Sequence, residues 1–366
     1  MGQIRVAVLG AGGLGRAACR IIGMKRELQL TAICDSKGIL VDPGGLDCEV
    51  LASGSGELVS SYPRAAQEAV ASDESVVPRA SLSGLPRPAS RDSVGGVATA
   101  TALIARHTED PLGELLELGG DVDAWLVTLP NMPNEFIPGV ARRFVQARGS
   151  VVFVDVLKRT AAVEQMFALE DVAKASGSVV LTGCGATPGL LTAAAVLAAQ
   201  SFIEVERVDI WWGVGVANWD AYKATIREDI AHVPGYSVER AKAMSEAEVE
   251  AFLEKTGGLL ELHHMEHADD VLLQRVGVVQ SPEQVEVGGV MDTRHAKKPV
   301  STTMTLTGIT FEGKRATHRF LLGDETTMAA NVVGPALGYL KRGVWLKDHG
   351  IFGVFGSTEF LPMVVR

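Results

Sequence analysis

The stretch Ile4-Arg5-Val6-Ala7-Val8-Leu9-Gly10-Ala11-Gly12-Gly13-Leu14-Gly15 decides the fold. Its first six residues are apolar apart from Arg5, the pattern of a parallel strand covered on both faces by helices. Glycines follow at once in the spacing G-x-G-x-x-G, and Arg16 to Gly23 continue in residues that suit a helix. A second apolar run, Leu28 to Cys34, completes a right-handed strand-helix-strand unit. In such a turn Gly12 leaves the backbone bare for the approach of a pyrophosphate, and the helix start adds N–H donors and the positive end of its dipole. Asp35 stands at the end of the second strand, 20 residues after Gly15, where a carboxylate can accept hydrogen bonds from a ribose. Gly10, Ala11, Gly12, Gly13, Leu14, Gly15 and Asp35 therefore read as a dinucleotide site. The plainer alternative is a glycine turn that serves only strand-helix packing, with Asp35 an ordinary strand-end residue.

The Asp35 carboxylate would repel a 2′-phosphate and argues for NAD, while Ser36 and Lys37 beside it would suit that phosphate and keep NADP open. Thr128-Leu129-Pro130-Asn131 closes a later apolar run, Ala124 to Thr128. Open α/β sheets bind ligands at the carboxyl ends of their strands, so this loop is expected to flank the cofactor, against the bland reading of a turn without contacts.

Working outward, the Ser- and Pro-rich stretch from Ser53 to about Ser93 reads as a surface excursion. A helical pattern from Val97 to Leu118, the run at 124–128, a helix over Phe136 to Arg148, a strand over Val151 to Val154, a helix over Ala161 to Ser176 and a strand over Val179 to Thr182 then alternate. That is the order of a doubly wound Rossmann sheet. Beyond Ser201 the texture changes to long strand-like runs, Val205 to Val216, Gly258 to Val278, Val285 to Met291 and Ser301 to Leu322, with one helix from Ser245 to Lys255. The expected fold is α/β, a Rossmann doubly wound parallel sheet with a second α+β domain built on a mostly antiparallel sheet. The expected domains are 1–200, 201–325, and a segment 326–366, helical over Thr327 to Arg342, that returns to the first.

The chain has 366 residues, with 34 Lys plus Arg against 44 Asp plus Glu and a net charge of −10. This balance excludes a general basic footprint for nucleic acid or an anionic membrane. The longest apolar stretch, Leu190 to Ala199, is too short to span a bilayer. Four cysteines without zinc spacing read as free thiols in a reducing compartment, and no signal-like segment precedes the first strand, so the expected location is the cytoplasm.

The run Gly183-Cys184-Gly185-Ala186-Thr187-Pro188-Gly189 ends another strand and opens a helix, offering unpaired N–H groups to a carboxylate or phosphate. Together with the glycine loop and the strand-end Asp155, it resembles the saccharopine dehydrogenase-like family of NAD(P)-dependent oxidoreductases. Asp35-Ser36-Lys37-Gly38 with Gly45-Leu46-Asp47 is also similar to homoserine dehydrogenase. The resemblance covers about half the chain, and where that family carries an acidic residue before the proline this sequence has Thr187. It implies hydride transfer at a carbon bearing nitrogen in an amino-acid, imine or opine-type substrate, with Gly185, Ala186, Thr187, Pro188 and Gly189 holding a substrate carboxylate. The alternative is a non-catalytic NAD(P)(H) sensor.

Asp155 and Lys158 can polarise a carbonyl or imine and shuttle a proton, or else form an ordinary surface pair. Arg227 offers a carboxylate fork and His232 an acid-base group, against the plainer reading of a solvated helix. His263 and His267 would share one face of a strand, but without a third ligand no metal is expected. The alternating run Thr303-Met304-Thr305-Leu306-Thr307 leaves one sheet face open, which points to a homodimer through the second domain.

Overall fold

A computed structural model describes residues 2–62, 103–119, 121–130, 132–216, 226–324 and 326–366. Most of the Ser- and Pro-rich stretch, the start of the helical pattern expected from Val97, and Asn131 lie outside the described residues.

The N-terminal half supplies β1 (Ile4–Leu9), β2 (Leu28–Cys34), β3 (Gly38–Val41), β4 (Ile104–His107), β5 (Ala124–Val127), β6 (Val152–Val154) and β7 (Val179–Thr182). β8 (Phe202–Gly215), β9 (Leu259–Leu262), β10 (Val285–Asp292), β11 (Thr302–Thr310) and β12 (Arg315–Leu322) follow, and β13 (Gly353–Gly356) comes last. Two sheets result, ordered β13-β7-β6-β5-β1-β2-β3-β4 and β12-β11-β8-β10-β9. The first is parallel from β13 to β2 and antiparallel at β3 and β4. In the second, β8 and β10 run parallel while the remaining pairings are antiparallel.

The parallel strands are buried except at the half-buried Arg5, Gln29 and Phe355, as their largely apolar runs require. One face packs under the helix Met328–Asp348, whose Tyr339, Leu340 and Ala336 meet Val6, Val152 and Leu181. Gly343 makes the close approach possible, since a Cβ there would sit 2.6 Å from Val152 Cγ1. The other face is covered by the helix Phe136–Arg148 through Phe144 and Val145, with Trp125 edge-on to Phe144 at 4.8 Å. The second sheet lays Val208, Ile210, Met304 and Leu306 against Leu191 and Ala195 of the helix Leu190–Ala199. Among the described residues no helix is long and apolar enough to cross a membrane.

Local chemistry overrode periodicity in three places. The pattern read as one helix to Leu118 is β4 followed by the helix Pro111–Leu118, because the Asp110 side chain accepts from Gly113 N at 3.0 Å and Pro111 takes the first helical turn. The expected helix over 161–176 is two, Thr160–Phe167 and Glu170–Ser176, broken where Leu169 turns into the core. The strand expected over 258–278 stops at Leu262. His264 adopts a left-handed φ of 48° there, and Asp269–Arg275 form a helix with two acidic residues in its first turn.

Candidate functional site

β1 ends in Gly10, whose φ of 111° only glycine adopts easily. Thr128 fixes that turn, donating its hydroxyl to Gly10 O at 2.7 Å. A Cβ on Gly15 would lie 1.8 Å from Gly10 O, so this glycine serves close packing of helix on strand. At Gly12 and Gly13 a Cβ would meet nothing within 4 Å. The helix Gly13–Gly23 starts there with no side-chain cap. Open space beside an uncapped helix start is the cradle that a pyrophosphate fills, so these residues fit a dinucleotide.

Asp35 is more constrained than its spacing implied. It belongs to the β2–β3 hairpin, with its Oδ1 accepting from Lys37 N at 2.8 Å and Gly38 N at 2.9 Å. Its Oδ2 accepts from Leu58 N at 2.7 Å. Oδ1 is thereby filled by two donors, while Oδ2 keeps one lone pair for a ribose hydroxyl. Ser36 is exposed at the tip, and Lys37 pairs with Glu57, which holds the Glu57 carboxyl below its usual range. The cation that could have met a 2′-phosphate thus already faces a carboxylate.

A cavity of about 450 Å³ opens between the two sheets beside this loop. Leu14, Leu129 and Pro130 border it from the nucleotide side, and Trp212, Met291 and Leu322 from the second sheet. Lys158, Arg159, Thr187, His267 and Asn331 bring polar groups into a largely apolar wall. Among the described residues no ion-pair partner engages Lys158, whereas Arg159 donates weakly to Met132 O at 3.4 Å and lies 3.6 Å from Glu228.

Several candidates are placed elsewhere. Arg227 donates from Nε to Met244 O at 2.8 Å and His232 lies in the turn after the helix Ile226–Ile230, and neither lines the cavity. Asp155 is fully buried beneath it. Its Oδ1 accepts from Leu157 N, Thr182 Oγ1 and Gly183 N at 2.9–3.0 Å, its Oδ2 has no partner, and burial pushes the carboxyl up to about 6. It fastens the loop that carries Lys158 to the loop after β7. The 185–189 turn also differs from expectation. Gly185, Ala186 and Thr187 line the cavity, but Gly189 N donates to Thr192 Oγ1 at 2.9 Å and the N–H groups of Leu190 and Leu191 to Gly185 O and Ala186 O at 2.9 Å. Those donors are consumed within the turn and are not offered to an anion.

His267, weighed in the sequence only as a metal ligand, completes the site through a partner that reading did not give it. His267, 5% exposed, lines the cavity and shares a hydrogen bond from Nδ1 with Asp269 Oδ2 at 2.6 Å. Asp269 is fully buried and also accepts from Thr187 Oγ1 at 2.7 Å and from Thr192 Oγ1. The segment is pinned to the Lys158 loop by Ala268 N to Lys158 O at 2.8 Å and Thr160 Oγ1 to Asp270 Oδ1 at 3.1 Å. The available signal was the His-x-Asp spacing at 267–269, obscured by reading the segment as a strand. Among the described residues no group of three or more His, Cys, Asp or Glu is placed to hold a metal ion.

No family model matches the sequence. In structure the chain is similar to DAP dehydrogenase of C. glutamicum in complex with DAP, with a TM-score of 0.52 at 17% identity over 98% of this chain and 94% of that one. It is likewise similar to apo saccharopine dehydrogenase (L-Glu forming) from Saccharomyces cerevisiae, with a TM-score of 0.53 at 11% identity over 97% and 94%. Likeness at this identity shows the shared Rossmann-type fold. In sequence the chain is 43% identical over 364 residues, 99% of each protein, to (S)-8-amino-7-oxononanoate synthase BioU from Haloferax mediterranei. This overturns the saccharopine dehydrogenase-like assignment and the homoserine dehydrogenase likeness, which rested on short glycine-turn and strand-end motifs. The chain is an enzyme, and it belongs to the (S)-8-amino-7-oxononanoate synthase BioU family.

Proposed function

We propose that this enzyme is an NAD(P)-dependent oxidoreductase acting on an amino ketone carboxylate of the 8-amino-7-oxononanoate kind, in which an amine condenses with the ketone, releasing water, and hydride is then exchanged with the resulting carbon-nitrogen double bond. The single observation that carries the reading is the cavity that joins the open glycine cradle to Lys158. A bound nicotinamide dinucleotide would supply or accept the hydride. Gly10, Ala11, Gly12 and Gly13 hold its pyrophosphate, Asp35 its ribose, and Leu129 and Pro130 flank it. Asp35 beside Glu57 disfavours a second phosphate, which supports NAD over NADP.

Lys158 presents its amine to the carbonyl or imine and holds a proton there. Arg159 offers the planar fork that grips a substrate carboxylate, in place of Arg227. Met132, Met291 and Met328 give adaptable apolar walls for a methylene chain. Four free cysteines fit a cytoplasmic setting, and the open face of the second sheet fits pairing of two copies.

Calorimetric titration with the oxidised and reduced dinucleotides, followed by NAD(P)H absorbance with 8-amino-7-oxononanoate, amino acids and 2-oxo acids, tests the reading. Binding of a dinucleotide and its turnover with the amino ketone are expected. Absence of heat with every dinucleotide would overturn it.

A further inference from the structure

We infer that Lys298, on the connection between β10 and β11, is a specificity-determining residue of the cavity that joins Arg159 in holding the substrate carboxylate. The identity of the substrate rests on the oxidoreductase reading above, but the placement of the cation does not. Glycines let the connection lie directly on the second sheet. A Cβ on Gly215 would stand 2.4 Å from the backbone of Ala296, and one on Gly213 would stand 1.8 Å from Val300 O, so the chain before and after Lys298 rests on the last residues of β8. Asp292 fixes the start of the connection, its Oδ1 accepting from Arg294 N at 2.8 Å and His295 N at 3.0 Å. Thr302 fixes the end, where its hydroxyl accepts from Gly213 N at 3.2 Å. Held in this way, the connection sets Lys298, half-buried, in the cavity wall, while Arg294, His295 and Lys297 stay exposed.

The protein itself leaves this charge unmatched. Lys298 Nζ donates to Gly323 O at 3.2 Å, and among the described residues no ion-pair partner engages it. Asp324, next along the chain from that carbonyl, accepts instead from Ser301 Oγ at 2.9 Å. The chain carries a net charge of −10, so an ammonium left with one neutral acceptor beside a largely apolar wall stands ready for an anionic ligand. What lies between the two lysines sets the shape of that ligand. Gly323 follows Leu322, which pairs with Thr302 across the two strands, and Leu322, Thr302 and Met328 all line the cavity. Lys158 stands on the loop after β6, on the side of the other sheet. A ligand that meets both lysines therefore carries a carboxylate at one end of an apolar spacer and a carbonyl at the other. Short 2-oxo acids, with the carboxylate next to the carbonyl, lack the spacer. Arg159 already lies 3.6 Å from Glu228, so Lys298 supplies positive charge that Arg159 shares with a protein carboxylate.

The test uses the full-length protein with oxidised dinucleotide present, so that substrate binding is read by calorimetry without hydride transfer. Lys298→Met should bind 8-amino-7-oxononanoate about tenfold to a hundredfold more weakly than the wild type, the size of a lost charged hydrogen bond. The methyl ester of the same compound, which lacks the carboxylate charge, should bind both proteins alike. Lys298→Arg restores the charge and should recover most of the affinity for the acid, and the dinucleotide Kd should be the same in all three proteins. An amino ketone acid shortened by several methylenes should lose the contact and no longer distinguish wild type from Lys298→Met. Wild-type affinity for the acid in Lys298→Met, equal weakening for acid and ester, or a shortened acid that still distinguishes the two proteins would overturn the inference. Wild-type protein that binds the acid but passes it no hydride from the reduced dinucleotide would sink the oxidoreductase reading, while the affinities would still decide the role of Lys298. Wild-type protein that does not bind the acid would overturn that role as well.

Discussion

Gly12 and Gly15 share one motif, but alanine should affect them in opposite ways. At Gly12 the backbone is extended, with φ −71° and ψ −168°, and an added Cβ meets nothing within 4 Å. Gly12→Ala should therefore fold as well as the wild type, or gain about 0.4–1 kcal/mol from a less flexible unfolded chain. The methyl would project into the space through which a pyrophosphate approaches, and dinucleotide affinity should fall by at least about tenfold to a hundredfold, or about 1.4–2.7 kcal/mol. At Gly15 the Cβ would stand 1.8 Å from Gly10 O, far inside van der Waals contact, and both partners are backbone. Gly15→Ala should cost about 3 kcal/mol or more. Thermal unfolding with and without dinucleotide separates the two effects, since saturating ligand at about a hundred times Kd adds about 2.7 kcal/mol to a protein that binds it. Gly12→Ala that keeps the wild-type Kd, or Gly15→Ala with wild-type stability, would refute the division of labour between these glycines.

Lys158→Arg keeps the charge but cannot give up its proton near neutral pH, so turnover should drop at least about 100-fold with dinucleotide binding intact, as measured by absorbance and calorimetry. Arg227→Ala and His232→Ala, outside the cavity, should leave kcat within about twofold, with Arg227→Ala lowering the melting temperature through its lost bond to Met244 O. The Asp155 carboxyl, pushed up to about 6 from an unfolded value of about 3.9, is held more tightly protonated in the folded protein. Its contribution is therefore most favourable below about pH 4 and is lost as pH rises to 6, by about 3 kcal/mol, a slope that denaturant titration should find missing in Asp155→Asn. Light scattering should give twice the chain mass of 38.7 kDa, with the interface on the sheet face where Leu321, Thr303 and Trp211 stand in register, and the monomer mass would rule that pairing out.

The nucleotide-binding half was legible because its signals are local. β1, β2, β7 and the helix Phe136–Arg148 begin and end at the residues where apolar runs meet glycines and polar residues. The misreadings share a cause: side chains compete for the backbone where periodicity alone is ambiguous. Asp110 capped a helix later than expected, and Asp35 closed a hairpin as well as ending a strand. Lys158 and Thr187, singled out for their places just past strand ends, both line the cavity. Asp155 lies at a strand end too, but its neighbours turn it inward. His267 and Asp269 were not legible, because their pairing depends on a helix that a run of mixed residues did not announce and on contacts with Thr187 and Thr192 more than 70 residues away. The family likeness misled for a related reason, since a glycine turn reports phosphate binding and says little about the chemistry beside it.

The most direct measurement follows a label. A reduced dinucleotide carrying deuterium at the transferable position of its nicotinamide is mixed with the protein and 8-amino-7-oxononanoate, and both protein and small molecules are read by mass spectrometry. One deuterium is expected on the former ketone carbon in the wild type and none in Lys158→Ala. Dinucleotide that binds in the glycine cradle yet keeps its label while the amino ketone is consumed would contradict hydride transfer in this cavity.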